Sequence, residues 1–367
     1  MLFILSDELI ENDSPTVKRA VRNLAQVTFE SHHILYGSIK CLKYFESVFS
    51  GDDDIRAVFH YIISNYTTCS IDAISRRVIV VNHVSVPYVE ENGYHWYQVA
   101  IDDLQESEKC RPINLIGENI EDCRFYEHVL QWFLKTRRLS IHWSVNRISG
   151  GGVTLAQILQ EESRNKHIWC AFVDTDWHYP DAPYGRTHED CKKYLRRTKW
   201  NRQLNELHVQ EIENLVPFNI VLPKIDLKHR QNQIQKEWFE KIYNNNPSLL
   251  AYFDIKKGIK VCQIANANDR ELEYIKACCI CNSDIDDIDA YIISKQEEQE
   301  KRDADAKPLY IYPPLGRILS LFLEDAGKNG NIYDELELID FQRDEWNMIG
   351  EILLNFSCAR NKEALNG

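Results

Sequence analysis

HIWCAFVDTDW, residues 167–177, is the stretch on which the fold turns. IWCAFV is a continuous apolar run, short enough for a strand and too short for a helix. Such a run reads as a strand covered on both faces, as in a parallel sheet, and two aspartates stand where it stops. Working outward, INLI (113–116) is a run of the same kind and is followed by Glu118. LSIHWSV (139–145) predicts a strand between them. Helical periods separate these runs: Phe125, Val129 and Phe133 with Tyr126 and Leu130, then VTLAQIL at 153–159. Strand, helix, strand, helix, strand is the pattern of an α/β fold with a mainly parallel sheet and right-handed crossovers. PFNIVL (217–222) predicts one more strand.

The flanks read differently. Residues 16–63 carry a helical pattern, with Val17, Val21, Leu24 and Ala25 on one face and a second run from Leu35 to Phe49. GDDD at 51–54 is a turn and helix cap. VIVVNHVSVPYV (78–89) and HWYQVAI (95–101), split by ENG at 91–93, predict a β-hairpin, with Pro87 confining its first strand to an edge. After Pro223 the chain is mostly helical and polar. KQEEQEKRDADAK (295–307) reads as a solvated helix or linker, and LYIY, bracketed by Pro308, Pro313 and Pro314, as an extended segment. Helices at 316–324 and 344–355 close the chain. The expected organisation is an N-terminal α+β region (1–108), a central α/β domain (109–224) and a mostly helical C-terminal region (225–367).

Composition narrows the class. The 367 residues carry 43 Lys+Arg against 56 Asp+Glu, a net charge of −13, which argues against coating nucleic acid by bulk charge but leaves room for a local basic patch. No window holds 18 uninterrupted apolar residues, so no membrane span is expected. MLFIL runs directly into Asp7, Glu8, Glu11 and Asp13, the wrong flank for a signal peptide. Eleven cysteines at no framework spacing predict reduced core thiols and a cytoplasmic protein. ACCICNSD (277–284) with Cys262 has no nearby His and reads as buried thiols rather than zinc ligands. DIDDID (284–289) lacks the central Gly of a calcium loop and reads as a helix start.

The acids fall where ligands bind in open α/β sheets, outside the carboxyl ends of strands at the switch in strand order. Glu118 follows the first central strand; Asp174 and Asp176 follow the third. If those two strands are neighbours, with the second outside the first, three carboxylates face one crevice. Like charges about 4 Å apart repel by ~4 kcal/mol at an intermediate dielectric, so a hard divalent cation is implied. Oxygen donors without His or Cys favour Mg2+ or Mn2+. In D-x-D, both acids point the same way while the strand lasts.

These residues, in this order, resemble the TOPRIM domain shared by topoisomerases, primases and overcoming-lysogenization-defect nucleases. More narrowly, they look like TOPRIM proteins of bacterial anti-phage defence. The matching pieces are NLIGENIEDCRFYEHVL (114–130), SGGG (149–152), CAFVDTDW (170–177) and HVQEIENLVP (208–217), within residues 112–224. The family's acid corresponds to Glu118 and its following Asp to Asp122. The chain departs from the pattern in one place: Gly117 precedes Glu118, where the family has Gly after it. D-x-D corresponds to Asp174 and Asp176, and a later family acid to Glu213. A helix drawn through 204–216 instead puts Glu211 inward, so both stay open as the further ligand. The resemblance implies a Rossmann-like central domain and a Mg2+- or Mn2+-dependent nuclease. It would be the effector of a defence system working with a separate ATPase, since no Walker A motif occurs in this chain. A homo-oligomer is compatible with it.

A nuclease must hold a polyanion, and one dense basic run follows D-x-D. Lys192, Lys193, Arg196, Arg197, Lys199 and Arg202, with Tyr194 and Trp200 interleaved, combine phosphate contacts with stacking surfaces. Two rivals keep some of these features. One is a non-catalytic TOPRIM scaffold or sensor subunit; the other is a D-x-D glycosyltransferase, against which Glu118 and the basic run speak.

Overall fold

The computed structural model of the protein describes residues 1–68, 71–195, 198–225, 230–282, 284–302 and 308–361. The chain packs as two compact units, neither of them one continuous stretch. The first comprises Met1–Phe172, Asp190–Asn205 and Asn347–Gly367; the second, Val173–Glu189 and Glu206–Trp346.

The first unit contains two sheets. One is built from β1 (Leu2–Leu5), α1 (Pro15–Phe29), β2 (Ile34–Gly37), α2 (Ile39–Val48), α3 (Asp53–Ser64), β3 (Arg76–Val81), β4 (Tyr88–Glu91) and β5 (Tyr94–Ala100). Its strand order is β2-β1-β3-β5-β4, and every neighbouring pair is parallel except β4 with β5. The N-terminal region is therefore itself α/β, where the sequence predicts α+β. MLFIL is a core strand, with Met1 and Leu2 wholly buried. The helical stretch expected over 16–63 is interrupted by β2. The run at 78–89 divides into β3 and β4, and only β4 forms the hairpin with β5. Its turn sits at Asn92 and Gly93, both at positive φ (53° and 78°), as a two-residue hairpin demands. The predicted cap at GDDD is present: Asp52 accepts the Ile55 N–H at the start of α3.

The second sheet follows as β6 (Ile113–Gly117), α4 (Ile120–Thr136), β7 (His142–Trp143), β8 (Val145–Ser149), α5 (Leu155–Arg164), β9 (Trp169–Val173), α6 (Arg186–Leu195) and β10 (Arg202–Glu206). The order β10-β9-β6-β8 puts β6 between β8 and β9, parallel to both. β9 is buried at all five positions, which is why its sequence reads so clearly. The strand expected at 139–145 lies instead at 145–149. β7 pairs antiparallel with Cys358–Ala359, outside this sheet. β10 was expected as part of a helix through 204–216; Leu204 and Asn205 are buried strand residues.

The second unit is mostly helical: α7 (Phe218–Val221), α8 (Arg230–Asn245), α9 (Val261–Ile264), α10 (Asp269–Ile280), α11 (Ile288–Glu300), α12 (Ile318–Ala326) and the first part of α13 (Asp340–Ser357), with the two-stranded pair β11 (Ile259–Lys260) and β12 (Tyr310–Tyr312). PFNIVL is not a strand: Phe218–Val221 form one helical turn in which Phe218, Ile220 and Val221 are all buried. The expected extended segment at LYIY is β12; residues 303–307 of the charged run lie outside the described residues. Phe218 meets Phe239 at 4.7 Å, and Tyr312 meets Trp238 at 4.7 Å and Phe253 at 5.5 Å, which forms an aromatic core. Nine of the ten described cysteines are buried and none is in a disulfide. Burial pushes the Cys279 thiol up to about 11, so it is a protonated core group. No helix among the described residues is long and apolar enough to cross a membrane.

Candidate functional site

In the first unit, Glu118 is the first residue past β6. Its backbone is held by the glycine loop: Gly150 N–H donates to Gly117 O at 2.7 Å, and Gly151 N–H to Glu118 O at 2.8 Å. Glycine is required here. A Cβ on Gly150 would stand 2.9 Å from Gly117 O and 2.6 Å from Leu155 Cδ1, and Gly151 and Gly152 have φ of 68° and 56°. Glu118 Oε2 lies 3.9 Å from where a Gly152 Cβ would be, so its carboxylate sits beside the loop. Asn119 then caps α4 by accepting the Glu121 and Asp122 N–H groups. Asp122 is buried, and its Oδ2 accepts the Asn119 N–H at 2.9 Å. Asp122 thus closes a capping box directly behind Glu118.

In the second unit, β9 gives way to Asp174, Thr175 and Asp176. Thr175 is fully buried and its hydroxyl donates to Val209 O at 2.5 Å; Asp176 N–H donates to Gln210 O and Gly185 N–H to Thr175 O, both at 3.0 Å. This segment is not strand. Asp176 has φ of 58°, so the alternation expected to aim the two aspartates alike does not apply. A left-handed aspartate costs backbone energy that its surroundings must supply. Gly185 makes room for it, because a Cβ there would overlap the Asp176 carboxylate.

Glu211 and Glu213 lie on a short turn at Ile212–Leu215, not on one long helix, so the wheel that separated them fails. The turn is anchored from behind. Asn214, wholly buried, donates to Leu250 O and Phe253 O, while Gln342 Nε2 donates to Asn214 O and Val216 O. Both acids reach Lys256: its Nζ is 2.8 Å from Glu213 Oε2 and 3.3 Å from Glu211 Oε2. Burial, then the Glu213 charge, pushes the Glu211 carboxyl up to about 7. Burial would lower the Lys256 pKa, but Glu211 and Glu213, with a further contribution from Asp174, raise it on balance. Asp174, Glu211 and Glu213 therefore act on one ammonium, whose single positive charge offsets part of theirs. Nothing in the sequence spacing singles out Lys256.

The basic run is only partly surface. Lys192, Lys193 and Lys199 are exposed and Arg202 is half-buried; Arg196 and Arg197 lie outside the described residues. Tyr194 is 6% exposed and packs edge-on against Trp169, and Trp200 packs edge-on against Phe3. The two aromatics belong to the packing rather than to a stacking surface for bases.

Among the described residues, no group of three or more His, Cys, Asp or Glu side chains is arranged to hold a metal ion. The donors suit a hard divalent cation in chemistry, being carboxylates without thiol or imidazole. No protein-family model, no curated protein and no solved structure matches this chain.

Proposed function

We propose that the chain is a divalent-metal-dependent phosphodiester hydrolase acting on DNA or RNA, and an effector that works with a separate ATPase in anti-phage defence. The observation that carries this reading is the strand order. β6 and β9 are parallel neighbours, and β6 also pairs with β8 on its other side. The switch in strand order therefore lies at β6, the strand that Glu118 follows, and the carboxyl edge beside such a switch is the usual place for a ligand.

In this reading Glu118, Asp174 and Asp176 hold the cation, with Glu213 or Glu211 as the further carboxylate. Bound Mg2+ or Mn2+ would polarise a phosphate and make water more acidic. Asp122 positions Glu118 by fixing the start of α4. Lys192, Lys193, Lys199 and Arg202 contribute cations for the substrate backbone. Lys256 offsets part of the charge of Glu211 and Glu213 before a cation arrives.

The test is cleavage of plasmid DNA, single-stranded DNA and total tRNA by wild type and Glu118→Ala, with Mg2+, Mn2+ or EDTA. Metal-dependent cutting by wild type that disappears in the variant supports the reading and identifies the polymer. A second reading, a non-catalytic scaffold or sensor subunit, is favoured by Lys256, whose ammonium already pairs with both Glu211 and Glu213. Absence of both cleavage and metal binding would select that reading.

A further inference from the structure

The first unit holds a second charged feature remote in sequence from the acids. Arg76, at the start of β3, is 4% exposed. Its guanidinium lies 4.2 Å from the ring centres of both Tyr97 and Phe356. Its hydrogen-bond acceptors are all neutral: the Tyr97 hydroxyl and Gln203 Oε1, each at 3.3 Å, and the Lys199 carbonyl. Nε has no hydrogen-bond partner, and no Asp or Glu among the described residues pairs with Arg76. A guanidinium keeps its charge when buried, so this unit carries an internal cation without a counter-charge.

Arg76 also lines a cavity of about 410 Å3, within the size range of small-molecule sites. One end is polar, formed by Arg76, Gln203 and Asn355; Met348 and Ile352 make an apolar wall. Two titratable groups besides Arg76 line it: His95, already bonded to the Tyr88 hydroxyl at 2.9 Å, and the exposed Glu351. A polar end carrying an uncompensated cation and an apolar wall match a ligand with an oxyanion on an apolar body.

We infer that this cavity binds a small organic anion, a carboxylate or a phosphate monoester, with Arg76 as the buried anchor of the site. The oxyanion completes the charge balance of Arg76, while the body of the ligand covers Met348 and Ile352. Tyr97 and Phe356 hold the guanidinium plane in place, so its orientation is set before the ligand enters. The inference is independent of the acids past β6 and β9 and survives if the hydrolase reading fails.

Calorimetric titration and thermal unfolding with benzoate, phenyl phosphate and inorganic phosphate test it on the full chain. Saturable binding of one aryl anion, tighter than inorganic phosphate and lost in Arg76→Met, is expected, and the two aryl anions separate carboxylate from phosphate. Glu351→Gln removes an exposed acid from the rim without touching the core and should tighten binding about two- to five-fold. Should Arg76→Met not fold, the Glu351→Gln comparison decides. Failure of both aryl anions to bind, equal binding by Arg76→Met, or an affinity unchanged in Glu351→Gln would overturn the inference.

Discussion

The two sheets of the first unit share a plan, since in each the earliest strand lies between its two parallel successors: β1 between β2 and β3, β6 between β8 and β9. Their carboxyl ends are used differently. Past β1, Asp7 accepts from the Ser38 hydroxyl and Glu8 from the Asn82 N–H, while Asn12 donates to Asn82 at 2.8 Å. The acids there serve as clasps between strand ends. Past β6, the chain is tied to the end of β8 by backbone hydrogen bonds from the glycine loop, and the Asn119–Asp122 capping box fixes the start of α4. Topology alone, then, does not distinguish a site from a clasp. At the β1 end carboxylates join one strand end to the next, whereas at the β6 end backbone atoms of the glycine loop make that join.

The largest effect should come from exchanging the roles. Glu118→Ala or Asp174→Ala is expected to lower metal-dependent cleavage by roughly two orders of magnitude or more, the usual scale for a charged group that acts in the transition state. Asp7→Ala should leave cleavage unchanged and cost about 0.5–1 kcal/mol in denaturant unfolding, as for one exposed hydrogen bond. Loss of activity in Asp7→Ala with stability intact would break the comparison.

Next in size is the loop. Gly150→Ala forces a Cβ against Gly117 O and Leu155 and should destabilise by about 1–3 kcal/mol, seen as a lower unfolding midpoint. Gly51 has nothing within 4 Å of its Cβ position, so Gly51→Ala should be neutral or slightly stabilising.

A pH effect sharpens the role of Lys256. The Glu211 carboxyl is raised to about 7 from an ordinary 4.5, so the folded state holds its proton more tightly than the unfolded chain. Its contribution to stability is therefore full below about 4.5 and is lost as pH rises through about 7. Glu211→Gln should flatten that decline in pH-dependent denaturant unfolding; an unaltered profile would contradict the assigned cause.

The smallest effect belongs to the surface. Lys192→Ala with Lys193→Ala should weaken nucleic-acid binding a few-fold and reduce the salt slope by about one unit per lost phosphate contact. An unchanged salt slope would place the polymer elsewhere.

How much of this was legible follows from burial. β6 and β9 are nearly continuous apolar runs because both faces are covered, and that made their ends, with Glu118 and Asp174, readable. β8 is an exposed edge strand, VNRIS, whose polar residues hide it behind the more apolar LSIHWSV. β1 and β2 have four residues each, too short to tell from helix by period. A helix through 204–216 would separate Glu211 from Glu213, whereas the chain forms a strand and a short turn there and both acids reach Lys256. Lys256 itself lies far along the chain in a stretch, DIKKG, that carries no pattern. Arg76 reads as an ordinary polar residue at a strand start, since only the fold brings the Tyr97 and Phe356 rings within 4.2 Å of its guanidinium.

Mn2+ binding, followed by calorimetry on wild type, Glu118→Ala and Asp174→Ala, tests most directly whether these acids form one cation site. The account predicts saturable binding by wild type that each substitution abolishes, with Asp7→Ala binding as wild type does. Undiminished binding in either Glu118→Ala or Asp174→Ala, or no binding by wild type, would contradict it.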